Sequence, residues 1–274
     1  MRFPILFAVL SCCASEAQGQ APEPLKQIAT VALPSVAGRI DHLAFDAQHQ
    51  RLFVAALGND TVEVLDAASN MHLKSLTGFH EPQGIAVATD FGGVAVANGD
   101  TGTLQLLDAE TFATRWTVEI GGDADNVRYD AAAKRLYVAA EGGLYRVDPA
   151  SGKVAKQIAI DGHPESFQLE TGGKRVFANL PGLVSSQVVV GDRESESVVA
   201  RWSSLGCRSN YPMALDESAT RLFVGCRLPA RLVMLDGRSG RPVTSVEAVG
   251  DTDDLFFDAA RQRLYVTGGE GYVD

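Results

Sequence analysis

No run of lysine or arginine occurs anywhere in the 274 residues, and the formal charge is −10, from 24 basic and 34 acidic side chains. A protein that follows nucleic-acid phosphates needs a basic face, so nucleic acid is not expected as a partner. Cations suit such a surface better. After residue 24 no apolar stretch is long enough to cross a bilayer, so no transmembrane segment is expected. Sustained helical periodicity is missing from the same region. Also missing are the Gly-x-Ser-x-Gly elbow, a phosphate loop, a dinucleotide fingerprint, an HExxH helix, paired metal-binding cysteines and the spacing of an EF-hand. These absences leave no motif for a covalent catalyst. Cysteine is scarce, with four in the chain.

What is present begins with MRFPILFAVLSCCASEAQGQAPEP. Arg2 is a minimal positive region, Phe3 to Leu10 an apolar core, and residues 15–19 offer small-x-small cleavage sites. This reads as a secretory signal over 1–19, with cleavage between 17 and 20 and a linker over 20–24. The mature protein is therefore expected to be exported, periplasmic or secreted. Lipid anchoring at Cys12 is the alternative, though Leu10 is bulky for that motif. Cys12 and Cys13 leave with the signal. Cys207 and Cys226 remain in an oxidising compartment, where a pair is expected to be bridged.

Between residues 25 and 274 one phrase recurs: RLFVA at 51, GVAVA at 93, RLYVA at 135, RVFAN at 175, RLFVG at 221 and RLYVT at 263, at spacings of 42, 42, 40, 46 and 42. A fixed period of this size marks a stacked or circular repeat architecture. Each repeat reads as short β runs bounded by Gly, Asn, Asp or Ser, as in HLAFD, RLFVAAL, TVEVLD and MHLKSL of the first. Four antiparallel strands per repeat predict an all-β single domain over 25–274, a β-propeller of four-stranded blades. The repeats run about 39–80, 81–122, 123–162, 163–208, 209–250 and, incomplete, 251–274. The third strand of five repeats ends in an aspartate followed three residues later by Ser or Thr, at Asp66, Asp108, Asp148, Asp192 and Asp236. The carboxylate can accept from backbone N–H groups ahead of it and pin a tight turn.

Two closures fit the sixth repeat, which stops at Asp274. In the favoured one the ring has seven blades and the chain is truncated at its C-terminus. In the alternative the ring has six, closed by an N-terminal strand at LKQIATVAL (25–33) that completes the last blade and covers its edge.

The strands RLYVTG, RLFVAAL and RLYVAA resemble the Tyr-Val-Thr-Asn motif of the YVTN-type β-propeller repeat family, which includes the YncE-like exported proteins. The likeness extends over about residues 25 to 274. Gly268 replaces the final Asn of the motif, which survives as Asn98 and Asn179. The resemblance implies a seven-bladed propeller and supplies no reaction.

In an antiparallel blade, the segment leading into the first strand and the loop leaving the second share one end. The lead-in segments read RIDH (39–42), EPQG (81–84), DADN (123–126), HPES (163–166), SNYP (209–212) and DTDD (251–254). Their third positions, Asp41, Gln83, Asp125, Glu165, Tyr211 and Asp253, are expected around the mouth of the central channel. Asp41, His42, Asp125, Asn126, Glu165, Asp253 and Asp254 are thus candidate ligand- or metal-binding residues. Converging carboxylate and amide oxygens suit Ca2+, which takes six to eight oxygen ligands. The competing reading makes them staples between blades, with no cofactor required. Arg39, Arg208 and Arg227 are candidate anion-binding residues, and Cys207 with Cys226 lie on the same face. The function expected is a module binding a small-molecule or protein ligand through this face. The alternative is a metal-assisted hydrolase of the lactonase type, argued from fold analogy.

Overall fold

The computed structural model describes residues 25–203 and 205–274. The expected signal, the linker and Cys12 lie outside the described residues. The chain divides into Met1–Thr30 and Val31–Asp274. In the first part, residues 25–30 form no strand, and Gln27 Nε2 donates to Thr30 Oγ1 at 2.6 Å.

Val31–Asp274 forms six antiparallel sheets, one per repeat, with strands in chain order within each sheet. Five have four strands and the sixth has three. The architecture is a six-bladed β-propeller. Two 3-10 turns, Leu57–Asn59 and Thr89–Phe91, are the only helical elements among the described residues. The recurring phrase forms the second strand of every blade: Arg51–Ala56, Gly93–Asn98, Arg135–Ala140, Arg175–Leu180, Arg221–Leu228 and Arg263–Gly268.

One expectation is corrected. The strand proposed over 25–33 does not form, and the sixth sheet consists of Thr252–Asp258, Arg263–Gly268 and Tyr272–Val273 alone. Leu25 and Ile28 are 63% and 91% exposed. A strand-like sequence holds a strand only when one face is buried and a ladder is made, and here neither occurs.

The core lies between blades rather than inside any one of them. Five clusters of buried residues join consecutive blades, anchored by fully buried side chains such as Phe53, Leu136, Phe167 and Leu222. Middle strands are buried on both faces, whereas the last strand of blade 5, Pro242–Glu247, is exposed throughout. That gradient follows from a ring whose wedge-shaped blades touch their neighbours face to face.

Turn chemistry repeats with the blades. Asp66 Oδ1 accepts from the backbone N–H and hydroxyl of Ser69, at 2.7 and 2.8 Å. Asp108, Asp148, Asp192 and Asp236 accept in the same way from residues two and three ahead. A second set, Asp46, Asp130, Asp216 and Asp258, does so between first and second strands. Each such turn ends on a residue in the left-handed region: Gln50, Lys134, Thr220 and Gln262, with φ of 52° to 54°.

Cys207 and Cys226 form a disulfide between the segment entering blade 5 and that blade's second strand, with Cα atoms 6.0 Å apart and a sequence separation of 19. Closing a loop of that length restricts the unfolded chain and contributes roughly 3 kcal/mol. Replacing both cysteines with serine is expected to lower unfolding stability by about that amount. A guanidinium titration should show a lowered midpoint, with a slope that rises as the released unfolded chain expands, and an unshifted midpoint would contradict it.

Candidate functional site

The third position of each lead-in segment is turned toward the axis by one backbone device. Asp41 N–H donates to Ala55 O at 2.8 Å, and His42 O accepts from Ala55 N at 3.0 Å, so two residues face one. Asp125 and Asn126 face Ala139 alike, and Glu165 and Ser166 face Asn179. In the other three blades the ladder slips between Pro82 and Ile85, Asn210 and Met213, and Thr252 and Asp254. An extra residue in one strand bends it and re-aims the side chain there. Four lead-ins also begin with a residue of positive φ: Glu81, Asp123, Ser209 and Asp251.

All six third positions consequently line one cavity of about 270 Å³. Its wall carries five carboxylates, Asp41, Asp123, Asp125, Glu165 and Asp253, against two guanidinium groups, those of Arg39 and Arg227. Both arginines pair with acids of the blade 6 lead-in. Arg39 Nη2 meets Asp253 Oδ1 at 3.0 Å. Arg227 pairs with the same oxygen, reaches Asp251 at 3.1 Å, and lies over the Tyr211 ring at 4.0 Å. Among the described residues no lysine or arginine pairs with Asp41, Asp123, Asp125 or Glu165. Blade approach at this point is set by Gly84, where a Cβ would meet the backbone oxygen of Asp125 at 2.2 Å.

Burial and the crowding of like charges shift these groups. Burial, then the charge of Asp125, a hydrogen bond shared with it, and the charges of Asp123 and Asp41 push Glu165 up to about 9. Burial raises Asp41 to about 6, opposed by His42 and Arg39 and reinforced by Asp125 and Asp253.

Deeper on the axis sits His42. Its Nδ1 lies 3.3 Å from Asp254 and its Nε2 3.0 Å from Asn126 Nδ2, with Asp125 at 3.7 Å and Asp41 at 3.9 Å. Burial disfavours the imidazolium, but Asp254, Asp125 and Asp41 outweigh it and hold the group well above its ordinary 6.5. A charged His42 needs an acceptor at Nε2. A half-turn of the Asn126 amide presents Oδ1 there and satisfies an oxygen that is otherwise buried without a partner.

Asp41, His42, Asp125, Glu165, Asp253, Arg39 and Arg227 are therefore brought together at the cavity, with Asn126 and Asp254 holding His42 beneath it. Arg208 is not: it is exposed and donates to Leu183 O at 3.1 Å. Residues leaving the second strands prove mostly structural. Asn179 is fully buried and donates to the carbonyls of Tyr211 and Pro212, stapling blade 4 to blade 5. Asp123 and His163 lie outside the candidate set drawn from the sequence. Asp123 accepts from Gln83 Nε2 at 2.9 Å and faces His163 Nδ1 at 3.3 Å. The signal available was position: both open a lead-in segment whose third residue is acidic. A second cavity, about 500 Å³, lies against the first and shares Glu165 and Tyr211 with it; Leu180, Pro181 and Leu183 give it an apolar wall.

The fold and this axial mouth define a β-propeller with a polar, acid-rich cavity at one end of its channel. No family model matches the chain. One stretch of 126 residues is 29% identical to "Uncharacterized protein YwhL" of Bacillus subtilis (strain 168), covering 46% of this chain and 27% of that protein. The chain thus matches about a quarter of that relative's length. Among solved structures it is similar to "Kuenenia stuttgartiensis Hydrazine Synthase", with a TM-score of 0.63 at 15% identity over 85% of this chain and 94% of that one. Identity at that level speaks for the fold alone. Among the described residues no helix is long and apolar enough to cross a membrane.

Proposed function

We propose that this protein is an exported, YVTN/YncE-like propeller that acts as a binding module, taking a cationic ligand at the acidic wall of its channel-mouth cavity. One observation carries the reading. Four carboxylates from blades 1, 3 and 4 line that cavity with no lysine or arginine ion pair among the described residues, while both cavity arginines pair with Asp253 or Asp251. A cation held between Asp41, Asp123, Asp125 and Glu165 would relieve repulsion that is otherwise met by keeping a proton on Glu165. Ca2+ fits the oxygen donors, and an organic amine fits the charge. The same commitment of Arg39 and Arg227 weighs against an anionic ligand. Export is supported by the secretory pattern of residues 1–19 and by the disulfide, which belongs in an oxidising compartment.

Calorimetric titration of the chelator-stripped mature protein with Ca2+ and, separately, with a polyamine tests this. Saturable binding of either, lost in Asp125→Asn/Glu165→Gln, is the expected result. Absence of binding by both would remove the cationic reading and return these acids to the role of blade staples.

A second reading is favoured by the adjoining cleft. A metal-assisted hydrolase needs room for an organic substrate beside its cation, and the 500 Å³ cavity that shares Glu165 supplies it. Hydrolysis of a lactone panel that requires added divalent metal would support it, and turnover unaffected by chelator would oppose it.

A further inference from the structure

We infer that Asp125, His163 and Glu165 form a three-ligand site for a first-row divalent transition metal of the Zn2+ kind, at the boundary between the two cavities. The inference rests on the cationic reading of the mouth and narrows it to one ion class.

One ring nitrogen of His163 and one oxygen from each of Asp125 and Glu165 lie within 4.8 Å of one another. A tetrahedral zinc site with bonds of 2.0–2.1 Å has donor atoms about 3.3 Å apart, so a small side-chain adjustment closes the set. The second observation is independent of the acids. His163 Nδ1 lies 3.3 Å from Asp123 Oδ2, a distance that favours a proton on Nδ1 and a lone pair on Nε2. That Nε2 is buried and has no hydrogen-bond partner. A buried ring nitrogen left bare is costly, and a metal ion is a partner that suits such a lone pair. The carboxylate behind the imidazole is the usual support for a metal-bound histidine, fixing its tautomer and orientation.

Donor chemistry chooses the ion. An imidazole with two carboxylates suits Zn2+ and its first-row neighbours, whereas Ca2+ wants oxygen throughout and more of it. Three protein ligands leave a coordination position open. Asp125 borders the mouth, His163 the larger cleft and Glu165 both, so the site lies between the two cavities.

The test is titration of the chelator-stripped full chain with Zn2+ and with Ca2+, with Co2+ as a spectroscopic reporter. Wild type is expected to bind one Zn2+ at least tenfold more tightly than Ca2+, and Co2+ should give a visible ligand-field band. His163→Ala should weaken Zn2+ tenfold or more and leave Ca2+ binding unchanged. Asp123→Asn, which keeps the fold but not the support for Nδ1, should weaken Zn2+ by roughly 10- to 100-fold. Arg208→Ala, outside both cavities, serves as a control and should change neither. Zn2+ affinity no higher than Ca2+, or unaltered in both variants with intact melts, would overturn the inference while leaving cation binding at the mouth standing. Polyamine binding with neither metal bound would overturn it too and keep the broader reading. No binding of metal or polyamine would sink both.

Discussion

Chelator-treated protein is expected to be most stable near pH 5 and to lose several kcal/mol of unfolding free energy by pH 9. Glu165 holds its proton up to about 9 when folded and releases it near its ordinary 4.5 when unfolded. Between those values the folded chain binds the extra proton, so stability falls as pH rises, by about 1.4 kcal/mol for each pH unit a single group governs. Asp41, raised from 3.8 to about 6, adds to the loss at the acidic end. His42 is held well above 6.5, so its contribution is whole below 6.5 and is also lost as pH rises through its folded value. All three slopes share one sign. Facing Glu165 are Asp123 and Asp125 from blade 3, Asp41 from blade 1 and His163 from its own lead-in, while the cavity arginines pair with Asp253 and Asp251.

Glu165→Gln isolates the largest contribution. A glutamine can donate to Asp125 as the protonated acid does, and it never acquires charge. The variant should follow a flatter curve, with only the His42 slope remaining above pH 6.5. At pH 9 it should be more stable than wild type. Thermal or urea unfolding across pH 5 to 9 reads this directly. A flat wild-type curve, or a variant weaker than wild type at pH 9, would show that the acids of the mouth are not in conflict.

The second large effect is expected at Gly84. Its missing side chain is what lets the lead-in of blade 2 pass against blade 3. A Cβ there would lie 2.2 Å from Asp125 O, 2.8 Å from Val127 N and 3.0 Å from Asn126 C, all backbone atoms that cannot swing aside. Gly84→Ala must therefore displace the strand that carries Asp125 and Asn126. Overpacking of this kind costs about 1–3 kcal/mol. Because the displaced residues belong to the mouth, cation affinity should fall with stability, by tenfold or more. Gly78→Ala is the control: an added Cβ meets nothing within 4 Å, so only its left-handed φ of 95° is strained. It should lower stability while sparing binding. Equal loss of binding in both variants would mean that Gly84 acts through global stability alone.

Much of this molecule was legible in one dimension. The 40- to 46-residue period placed all six second strands, and the Asp-x-x-Ser/Thr turns sit where the pattern put them. The ring of third positions was legible for the same reason. Strand alternation and the hairpin register are local, so equivalent positions in equivalent blades must reach the same height on the axis. What the period did not reveal was the backbone slip that aims those residues inward. It also offered residues 25–33 as a strand, because KQIA at 26–29 reads like KQIA at 156–159 of the third blade, and a sequence match looks alike with or without a partner ladder.

Only the tertiary structure decided who meets whom. His42 touches Asn126 and Asp254, 84 and 212 residues away, and Arg39 meets Asp253 across 214. Arg227 turned from a candidate anion ligand into the counter-charge of Asp251 and Asp253. His163, without an alternating or repeated signature, came to share a corner with Asp125 and Glu165. Local hydrogen bonding repeats with the sequence and can be read from it. Contacts across the axis depend on side-chain length and on how six separate blades close around it, and the 42-residue phrase encodes neither.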